Sequence, residues 1–486
     1  MERRRVDHER AMVAATGQEI LARLTPGQRK LAMRIAEVWR AAGEELFLVG
    51  GVVRDAAQQT TTRDDLDFAT SATPGAARAL LEGMSPPPDS IYGVGERFGT
   101  MGAVFQIDEH PISVEITTYR QEIYPDGTRF PEVTFGTTLL EDLSRRDFTV
   151  NAIAIDPLTA EIIDPAGGIG DLAMSVLRAV GDADERFKED PLRLLRAARF
   201  VSEHGYSVAI GTTEAMSRQA ESLGRISIER IASELNRLMM GPYPAAGLTV
   251  LRETGLLHAA LPELDPMAND PGPRFGREKA LWDHTLQVIE RTPPRLVVRW
   301  SALLHDAAKP MVRRLDERGE VHFHGHEIRG AELAAAVLRR LKLDKATQQG
   351  VAVVVENHGR PAAYERDWTD SAVRRLALDL GPWWEDLLAL AAADVTSARA
   401  QKQEAAAQRI VDLQAHHARL IAEAELDALQ SPLDGDDLMR IFQRPPGIWI
   451  KRVKDYLRNL VIDGELAVGD MARAEELARD YLKVNP

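Results

Sequence analysis

The chain has 486 residues, no cysteine and a formal net charge of −14. This length exceeds what one hydrophobic core usually serves and predicts two to four domains, while the lack of cysteine excludes disulfides and thiolate metal sites. The acidic balance excludes a global attraction to nucleic acid, so any such binding must use local basic patches.

The N-terminus, MERRRVDHERAMVAATGQ, has no apolar signal segment, and no run of about 18 apolar residues follows. We therefore expect a cytoplasmic protein without a membrane partner. Up to about residue 165, short apolar runs such as LFLVGG, LDFAT, MGAVFQI, ISVEITTYR and NAIAID predict a mixed sheet with helices around it. After residue 185 the three-four spacing of apolar residues predicts helices almost throughout.

The stretch VGGVVRDAAQQTTTRDDLDFAT, residues 49–70, contains the first candidate site. A buried strand ends in Gly50 and Gly51, which would let a phosphate approach the backbone, and Arg54 follows on a predicted helix. Asp65 and Asp67 share one face of the next strand, because side chains alternate with a period of two. Two isolated acids would more often be a loop end and a solvated strand residue, but this setting favours a Mg²⁺ and triphosphate site.

Two further carboxylates, Glu115 and Asp64, are candidates for the same Mg²⁺ site. Glu115 alternates with Ile112, Val114 and Ile116 and can face the aspartates, although a surface position fits its spacing equally well. Asp64 points to the opposite face of an extended strand, so we assign it no catalytic part.

The stretch KEDPLRLLRAARF places Asp190 and Arg193 three residues apart on a predicted helix, where side chains are neighbours. They can form a surface ion pair of about 0.5 kcal/mol or less. Alternatively they recognise a base: cytosine and adenine both present an amino donor beside a ring-nitrogen acceptor, whereas guanine and uracil would leave polar groups unpaired. Arg196 and Arg199 continue the basic face.

Residues 262–279, PELDPMANDPGPRFGREK, predict a linker, and a second helical block follows. It contains His284, His305-Asp306 and Asp394, an order that resembles the HD metal-dependent phosphohydrolase superfamily. His326 and His358 fall where members with a second metal place further histidines. Such ligands suit Mn, Ni, Co, Fe or Mg; the alternative is a decayed HD fold kept as an RNA-binding scaffold.

Residues 401–486 predict one long polar helix, QKQEAAAQRIVDLQAHHARLIAEAELDALQ, and a compact tail. WIKRVKDYLR, residues 449–458, is a local basic patch that could contact phosphates. An ordinary amphipathic helix explains it equally well.

Taken in order, LVGGVVRD, DDLDFATSATP, DLSRRDFTVNAIAID, DPAGGIGDL, EDPLRLLRAARF and ISIERIASELNRLM resemble the class II nucleotidyltransferases, which comprise bacterial CCA-adding tRNA nucleotidyltransferases and poly(A) polymerases. The resemblance implies that Asp65 and Asp67 bind catalytic Mg²⁺. It also implies the nucleotide-binding residues Gly50, Gly51, Arg54, Arg146, Asp147, Asn151, Asp190, Arg193, Arg196 and Arg199.

The implied fold class is α+β, with an N-terminal mixed-sheet nucleotidyltransferase head followed by an all-α neck, an HD body and a tail. The expected domains are a head (25–175), a helical neck with the nucleotide-selecting helix (176–262), an HD domain (275–400) and a helical tail that contacts tRNA (401–486). The expected function is addition of C, C and A to the tRNA 3′ end from CTP and ATP.

Other functions remain open. A poly(A) polymerase shares every head motif, although such enzymes often carry a long basic C-terminal extension and this chain ends in LARDYLKVNP. Enzymes that add only CC or only A are further alternatives. An HD phosphohydrolase with a degenerate head and a pure RNA-binding protein belong to other classes; the second gives no reason for two sets of metal ligands.

Overall fold

The computed structural model describes residues 16–59, 65–93, 99–107, 110–123, 132–135, 138–270, 280–317, 321–395, 400–422 and 430–485. Asp64, residues 271–279 of the predicted linker and residues 423–429 of the predicted long helix lie outside this set. The chain divides into two compact units, one up to Pro262 and one from Glu263 onward. Among the described helices, none combines the length and apolar character that crossing a bilayer requires.

The first unit contains the predicted mixed sheet. Its strands and those of a separate hairpin are β1 (Leu46–Val49), β2 (Asp65–Thr70), β3 (Ser90–Gly93), β4 (Thr100–Ile107), β5 (His110–Thr118), β6 (Arg120–Ile123), β7 (Glu132–Phe135), β8 (Ala154–Ile155) and β9 (Ile162–Ile163). Seven strands form one sheet in the order β3-β4-β5-β2-β1-β8-β9, while β6 and β7 pair with each other. Within the large sheet, β2 and β5 are parallel and the other pairs are antiparallel.

Strand β5 has the two faces that its sequence predicts. Ile112, Val114 and Ile116 are buried, whereas Glu115 and the residues on either side of it in the alternation are only half-buried. The polar face of β5 is therefore accessible to a ligand, while its apolar face packs in the hydrophobic core.

The helices that accompany this sheet begin with α1 and α2. The set comprises α1 (Gly17–Ala22), α2 (Pro26–Ala41), α3 (Gly51–Ala57), α4 (Pro74–Glu82), α5 (Leu139–Ser144) and α6 (Gly168–Ala173). Helix α2 shows why its sequence starts a helix: Thr25 and Gln28 cap each other reciprocally, and Pro26 occupies the first turn, where its missing N–H is not needed. The buried Leu31, Ile35 and Trp39 then follow at helical spacing.

The rest of the first unit is helical, with a short parallel pair of strands β10 (Val176–Leu177) and β11 (Ser207–Val208). The helices are α7 (Ala183–Glu189), α8 (Leu192–His204), α9 (Ile210–Gln219), α10 (Ile228–Met240), α11 (Pro244–Glu253) and α12 (Leu256–Ala260). Helix α8 ends at Gly205, which has the left-handed conformation that glycine supplies.

The prediction that Asp190 and Arg193 lie on one helix is wrong. Asp190 has extended backbone angles (φ −137°, ψ 98°) and separates α7 from α8. The cause is Pro191, because a proline ring disfavours the helical conformation of the residue before it.

The described residues of the second unit are helical or in turns apart from strands β12 (Arg314–Leu315) and β13 (Val321–His322). Its helices are α13 (Asp265–Ala268), α14 (Leu281–Arg291), α15 (Leu296–Leu304), α16 (Lys309–Val312), α17 (His326–Arg340), α18 (Lys345–Asn357), α19 (Asp370–Leu380), α20 (Trp384–Asp394), α21 (Ala400–Ala422), α22 (Gly435–Phe442), α23 (Ile448–Ile462) and α24 (Met471–Val484). The predicted linker is partly wrong, since Pro262–Leu264 forms a 3₁₀ turn and α13 follows it directly. Helices α22 to α24 share a core around Leu438, Trp449 and Leu457.

Candidate active sites

A polar cavity of about 590 Å³ in the first unit is lined by residues of β1, β2, β5 and α8. Nine lining residues are arginines: Arg54, Arg120, Arg145, Arg146, Arg193, Arg196, Arg199, Arg230 and Arg237. The carboxylates are fewer and come from Asp67, Glu115, Asp147 and Asp190. This excess of positive charge suits a polyanionic ligand such as a triphosphate.

The strand register places two predicted catalytic carboxylates side by side. Asp67 of β2 is opposite Glu115 of β5 in the parallel pair, and Asp65 is opposite Ser113. Asp67 and Glu115 both line the cavity, whereas the exposed Asp65 shares their strand face outside the lining. In the described part of the chain, the carboxylate oxygens of Asp65, Asp67 and Glu115 do not form a set in which all three lie within 4.8 Å of one another. Their hard oxygen atoms nevertheless fit a Mg²⁺ ion that takes one or two carboxylates and completes its shell with phosphate and water.

Gly50 lies where strand β1 turns into helix α3. Its φ of 73° with ψ of −136° is a combination that residues other than glycine rarely adopt. A Cβ at this position would lie 3.4 Å from Asp67 Oδ2 and 3.6 Å from Arg146 Nη1. The missing side chain thus keeps space open in front of the carboxylate, as phosphate approach requires.

Asp147 is a buried residue in the wall of the cavity. Its Oδ2 accepts hydrogen bonds from Arg196 Nε at 2.9 Å and Nη2 at 2.5 Å, and its Oδ1 accepts from Asn151 Nδ2 at 3.0 Å and the Phe148 amide at 2.8 Å. Burial alone would raise the pKa of Asp147, but Arg196 and Asn151 hold that pKa well below its ordinary value. Asp147 is therefore ionised and positions Arg196.

Asn151 links two of the predicted nucleotide-binding arginines. Its Oδ1 accepts a hydrogen bond from Arg54 Nη1 at 2.8 Å, and its backbone carbonyl accepts one from Arg146 Nη1 at 3.2 Å. Arg54 is buried and also pairs with Asp55 at 2.7 Å. These bonds fix the guanidinium groups before any ligand arrives, which lowers the entropy cost of binding.

Residues on and before α8 line the cavity in pairings that the sequence did not predict. The Asp190 carboxylate accepts from Arg230 at 3.2 Å, and the Arg193 guanidinium donates to Glu189 at 3.0 Å and to the Arg145 carbonyl at 2.8 Å. The structure therefore brings Asp190 and Arg193 to one cavity without pairing them.

Phe200 supports the same arginines with its ring. The Arg54, Arg196 and Arg199 guanidinium carbons lie 5.2, 5.6 and 4.3 Å from its centroid. Such contacts stabilise a cation without neutralising it. Arg199 is buried and donates a hydrogen bond to Glu234 at 2.5 Å, so its guanidinium is held in place beside Phe200.

The second unit contains a dense cluster of histidines and aspartates. His284, His305 and Asp394 offer ligand atoms that all lie within 4.8 Å of one another, and so do Asp306, His326 and His358. The Nε2 atoms of His284 and His305 are 3.4 Å apart, and those of His326 and His358 are 3.2 Å apart. All six predicted HD ligands are thus brought together.

Asp306 joins the two sets. Its Oδ2 lies 3.3 Å from His305 Nε2 and 3.5 Å from His284 Nε2, whereas its Oδ1 faces His326 and His358 at 3.6 and 3.8 Å. Oδ1 is buried without a hydrogen-bond partner among the described residues. A buried carboxylate oxygen without a hydrogen-bond partner, close to imidazole nitrogens, fits the role of a metal ligand.

The histidines are oriented for metal binding by their second ring nitrogens. Nδ1 of His305, His326 and His358 lies 2.9, 2.9 and 2.7 Å from the carbonyls of Ala302, Phe323 and Val355. A donor bond to a carbonyl fixes the tautomer in which Nε2 carries a lone pair. The donor set therefore fits two metal ions with mixed nitrogen and oxygen ligands.

The charges of this cluster are strongly coupled. Burial would lower the pKa of His305, but the carboxylates of Asp306 and Asp394 raise that pKa to about 9. Burial and the neighbouring His305 lower the pKa of His358 to about 4. Burial would raise the pKa of Asp306, yet His305 and Lys309 hold it well below its ordinary value.

Sequence reasoning missed several residues of these sites. Arg230 and Arg237 are two helical turns apart on α10, a spacing that places both on one face. Lys309 donates to Asp306 at 2.7 Å, and its three-residue spacing from Asp306 was a readable signal. Phe200 and Arg120 had no comparable signal, because their roles depend on tertiary neighbours.

Three family models match successive regions of the chain. Residues 46–178 match the family described as the Poly A polymerase head domain, 205–267 the probable RNA and SrmB-binding site of polymerase A, and 281–412 the HD domain. The fold, the cavity and these matches define a nucleotidyltransferase with an HD domain.

The whole-chain relatives make the family specific. The CCA-adding enzyme of Geobacillus stearothermophilus is 31% identical over 453 residues, which cover 90% of this chain and 93% of that protein. The crystal structure of the Bacillus stearothermophilus CCA-adding enzyme in complex with CTP has a TM-score of 0.64 at 27% identity and covers 95% of this chain and 100% of that one. The chain belongs to the family of bacterial CCA-adding enzymes, which use a divalent metal ion.

Some relatives match more strongly over a shorter region. The CCA-adding enzyme of Anoxybacillus flavithermus is 42% identical over 238 residues, which are 49% of this chain and 56% of that protein. The chain thus spans about half the length of this relative in the alignment.

Proposed function

We propose that the protein adds C, C and A to the 3′ end of tRNA, taking the nucleotides from CTP and ATP without a nucleic-acid template. The observation that carries this proposal is the pairing of Asp67 with Glu115 across β2 and β5, facing a cavity with nine arginines. We also propose that the reaction takes place in the cytoplasm, where tRNA and free nucleoside triphosphates are available.

The proposed reaction forms a bond between the tRNA 3′ oxygen and the α-phosphorus, and breaks the bond between that phosphorus and the oxygen that bridges it to the β-phosphate. Pyrophosphate leaves, and the proton of the 3′ hydroxyl passes to solvent. Asp65 and Asp67 would hold Mg²⁺, with Glu115 beside them, while Gly50, Gly51 and Arg54 would hold the triphosphate. Mg²⁺ bound there would lower the pKa of the 3′ hydroxyl and neutralise charge on the leaving group.

Base selection is proposed for Asp190 and Arg193, which both line the cavity. Asp190 would accept from the amino group of cytosine or adenine, and Arg193 would donate to the ring nitrogen. Because both side chains have other partners here, nucleotide binding must exchange the bonds to Arg230 and Glu189 for bonds to the base.

The decisive experiment supplies tRNA lacking its 3′ terminus with each labelled nucleotide alone and then with CTP and ATP together. We expect two C residues followed by one A, and loss of addition in Asp65→Ala and Asp67→Ala. A long A tail from ATP alone would instead identify a poly(A) polymerase. Addition that stops after CC, or that needs a CC end and adds only A, would identify a partial enzyme.

The orphaned Asp306 oxygen between two ligand sets favours a second function. We propose that the HD centre hydrolyses a cyclic or terminal phosphate with a transition metal such as Mn, Ni, Co or Fe, or with Mg, held by His284, His305, Asp306 and Asp394, and a second ion held with His326 and His358. Water supplies the new P–O bond, and the ester oxygen leaves as an alcohol with a proton.

This second function predicts metal-dependent phosphatase activity that survives Asp67→Ala and disappears in His305→Ala. Activity that survives His305→Ala would point to a contaminant or another site. No activity in the wild type with any of these metals would support the decayed scaffold.

We further propose four domains: a head over residues 25–175, a neck over 176–262, an HD body over 275–400 and a tail over 401–486. The tail contacts tRNA in this proposal.

A further inference from the structure

A second cavity, of about 510 Å³, adjoins the HD ligands. His358 and Asp394 form part of its wall, and the 3₁₀ turn Pro361–Ala363 and helices α20 and α21 form most of the rest. That remaining wall is small and apolar, with Pro361, Ala362, Ala391, Ala405, Ala406 and Ile410. A ligand in this cavity would touch the metal ligands on one side and α21 on the other.

Among the described residues of the lining, Arg409 of α21 is the one arginine or lysine. It is exposed, and within the described parts of the chain it has neither a hydrogen bond nor a carboxylate within 4.0 Å. Arg419 on the same helix differs, because it pairs with Asp370 at 2.5 Å. The neighbouring Ile410 is buried and fixes the helix face, so Arg409 lies at the cavity with its donors available.

The chemistry of the lining restricts what can bind. Apart from the imidazole of His358, which is a proposed metal ligand, the described lining contains no aromatic ring, and it has no amide or hydroxyl side chain. It therefore lacks the groups that usually stack on a base and read its edge. A guanidinium matches the geometry of phosphate oxygens. A phosphate group between the HD ligands' metal ions and Arg409 would be neutralised from both sides.

We propose that Arg409 binds the terminal phosphate of the HD substrate, and that this substrate is a phosphate monoester selected by charge and not by its base. The proposal rests on the phosphohydrolase function proposed for the HD centre. A monoester is favoured over a diester because it carries about −1.5 to −2 charges at neutral pH, against about −1 for a diester. Arg409 is a substrate-binding residue in this assignment, separate from the metal ligands.

The first test measures hydrolysis by the full-length protein loaded with Mn²⁺, using p-nitrophenyl phosphate and bis(p-nitrophenyl) phosphate. We expect Arg409→Gln to raise KM for the monoester by about tenfold, with a smaller change for the diester. Arg409→Lys should recover part of the loss, because it keeps the charge without the planar fork. Arg339→Gln is the matched control, since Arg339 is an exposed arginine of α17 outside the cavity lining.

The second test measures binding of inorganic phosphate by calorimetry, together with bound metal, and does not depend on turnover. Arg409→Gln should weaken phosphate binding by a similar factor and leave metal content unchanged. An unchanged KM and phosphate affinity would overturn the inference, and so would loss of metal from Arg409→Gln. If the wild type hydrolyses neither ester but its phosphate affinity depends on Arg409, the phosphohydrolase proposal fails and the phosphate site stands. Absence of both hydrolysis and phosphate binding would overturn the two together.

Discussion

At the residue scale, Gly50 decides how closely a ligand approaches Asp67. Its positive φ costs an alanine about 1–3 kcal/mol, and the added Cβ would occupy space beside the carboxylate. We expect Gly50→Ala to reduce the rate of nucleotide addition by about 10²-fold, as small misplacements at reacting centres do. The measurement is the initial rate of CMP incorporation.

Gly75→Ala is the control for this variant, because Gly75 lies in α4 without a positive φ and a Cβ there would meet nothing within 4 Å. Equal rates in the wild type and Gly50→Ala would refute the role given to this turn.

The ionised Asp147 carboxylate in the cavity wall also contributes to the stability of the folded protein. Its lowered pKa means that its stabilising contribution is complete above the ordinary carboxyl pKa of about 3.9 and is lost as the pH falls through the lower folded-state value. Replacing a charged hydrogen-bonding partner costs about 1.5–3 kcal/mol. We therefore expect Asp147→Asn to lower the melting temperature of the first unit at pH 7.

Melting curves of Asp147→Asn and the wild type between pH 7 and about pH 2 check this account. The difference in melting temperature should stay constant down to about pH 4 and shrink below it, because the unfolded wild type then takes up a proton while the folded Asp147 stays ionised. A difference that does not shrink in the acid range would show that the amide disturbs packing and not charge.

At the scale of elements, the pairing of β2 with β5 gives Glu115 its position. We expect Glu115→Gln to lower kcat for nucleotide addition by about 10²-fold, since it removes a charge beside Asp67 and leaves the shape unchanged. Single-turnover addition of CMP measures this effect. His110→Ala, at the exposed start of the same strand, should match the wild type. Full activity in Glu115→Gln would reduce Glu115 to a surface residue of the cavity.

The elements also show how far sequence alone could go. Alternation along β5 predicted which face is buried, and the spacing of Asp65 and Asp67 predicted their common face, because both follow from local periodicity. The break before α8 was readable from Pro191. The bonds of Asp190 to Arg230 and of Arg196 to Asp147 were not readable, because each joins residues far apart in sequence through tertiary packing.

At the scale of the whole molecule, the two proposed metal sites belong to separate compact units. A metal that binds only the native state stabilises it by about 2.7 kcal/mol at a hundred times its dissociation constant. We expect Mn²⁺ or Ni²⁺ to raise the melting temperature of the wild type and to have little effect on His305→Ala. Differential scanning calorimetry with and without a chelator tests this expectation. An equal shift in His305→Ala would place the metal elsewhere.

The parallel pairing of β2 with β5 also has a kinetic consequence. The two strands are separated in the chain by α4, β3 and β4, so Asp67 and Glu115 meet only after a long loop has closed. Non-local contacts of this kind form slowly in folding. During refolding, helical signal should therefore return before nucleotide addition does, and recovery of catalysis would serve as a clock for completion of the sheet.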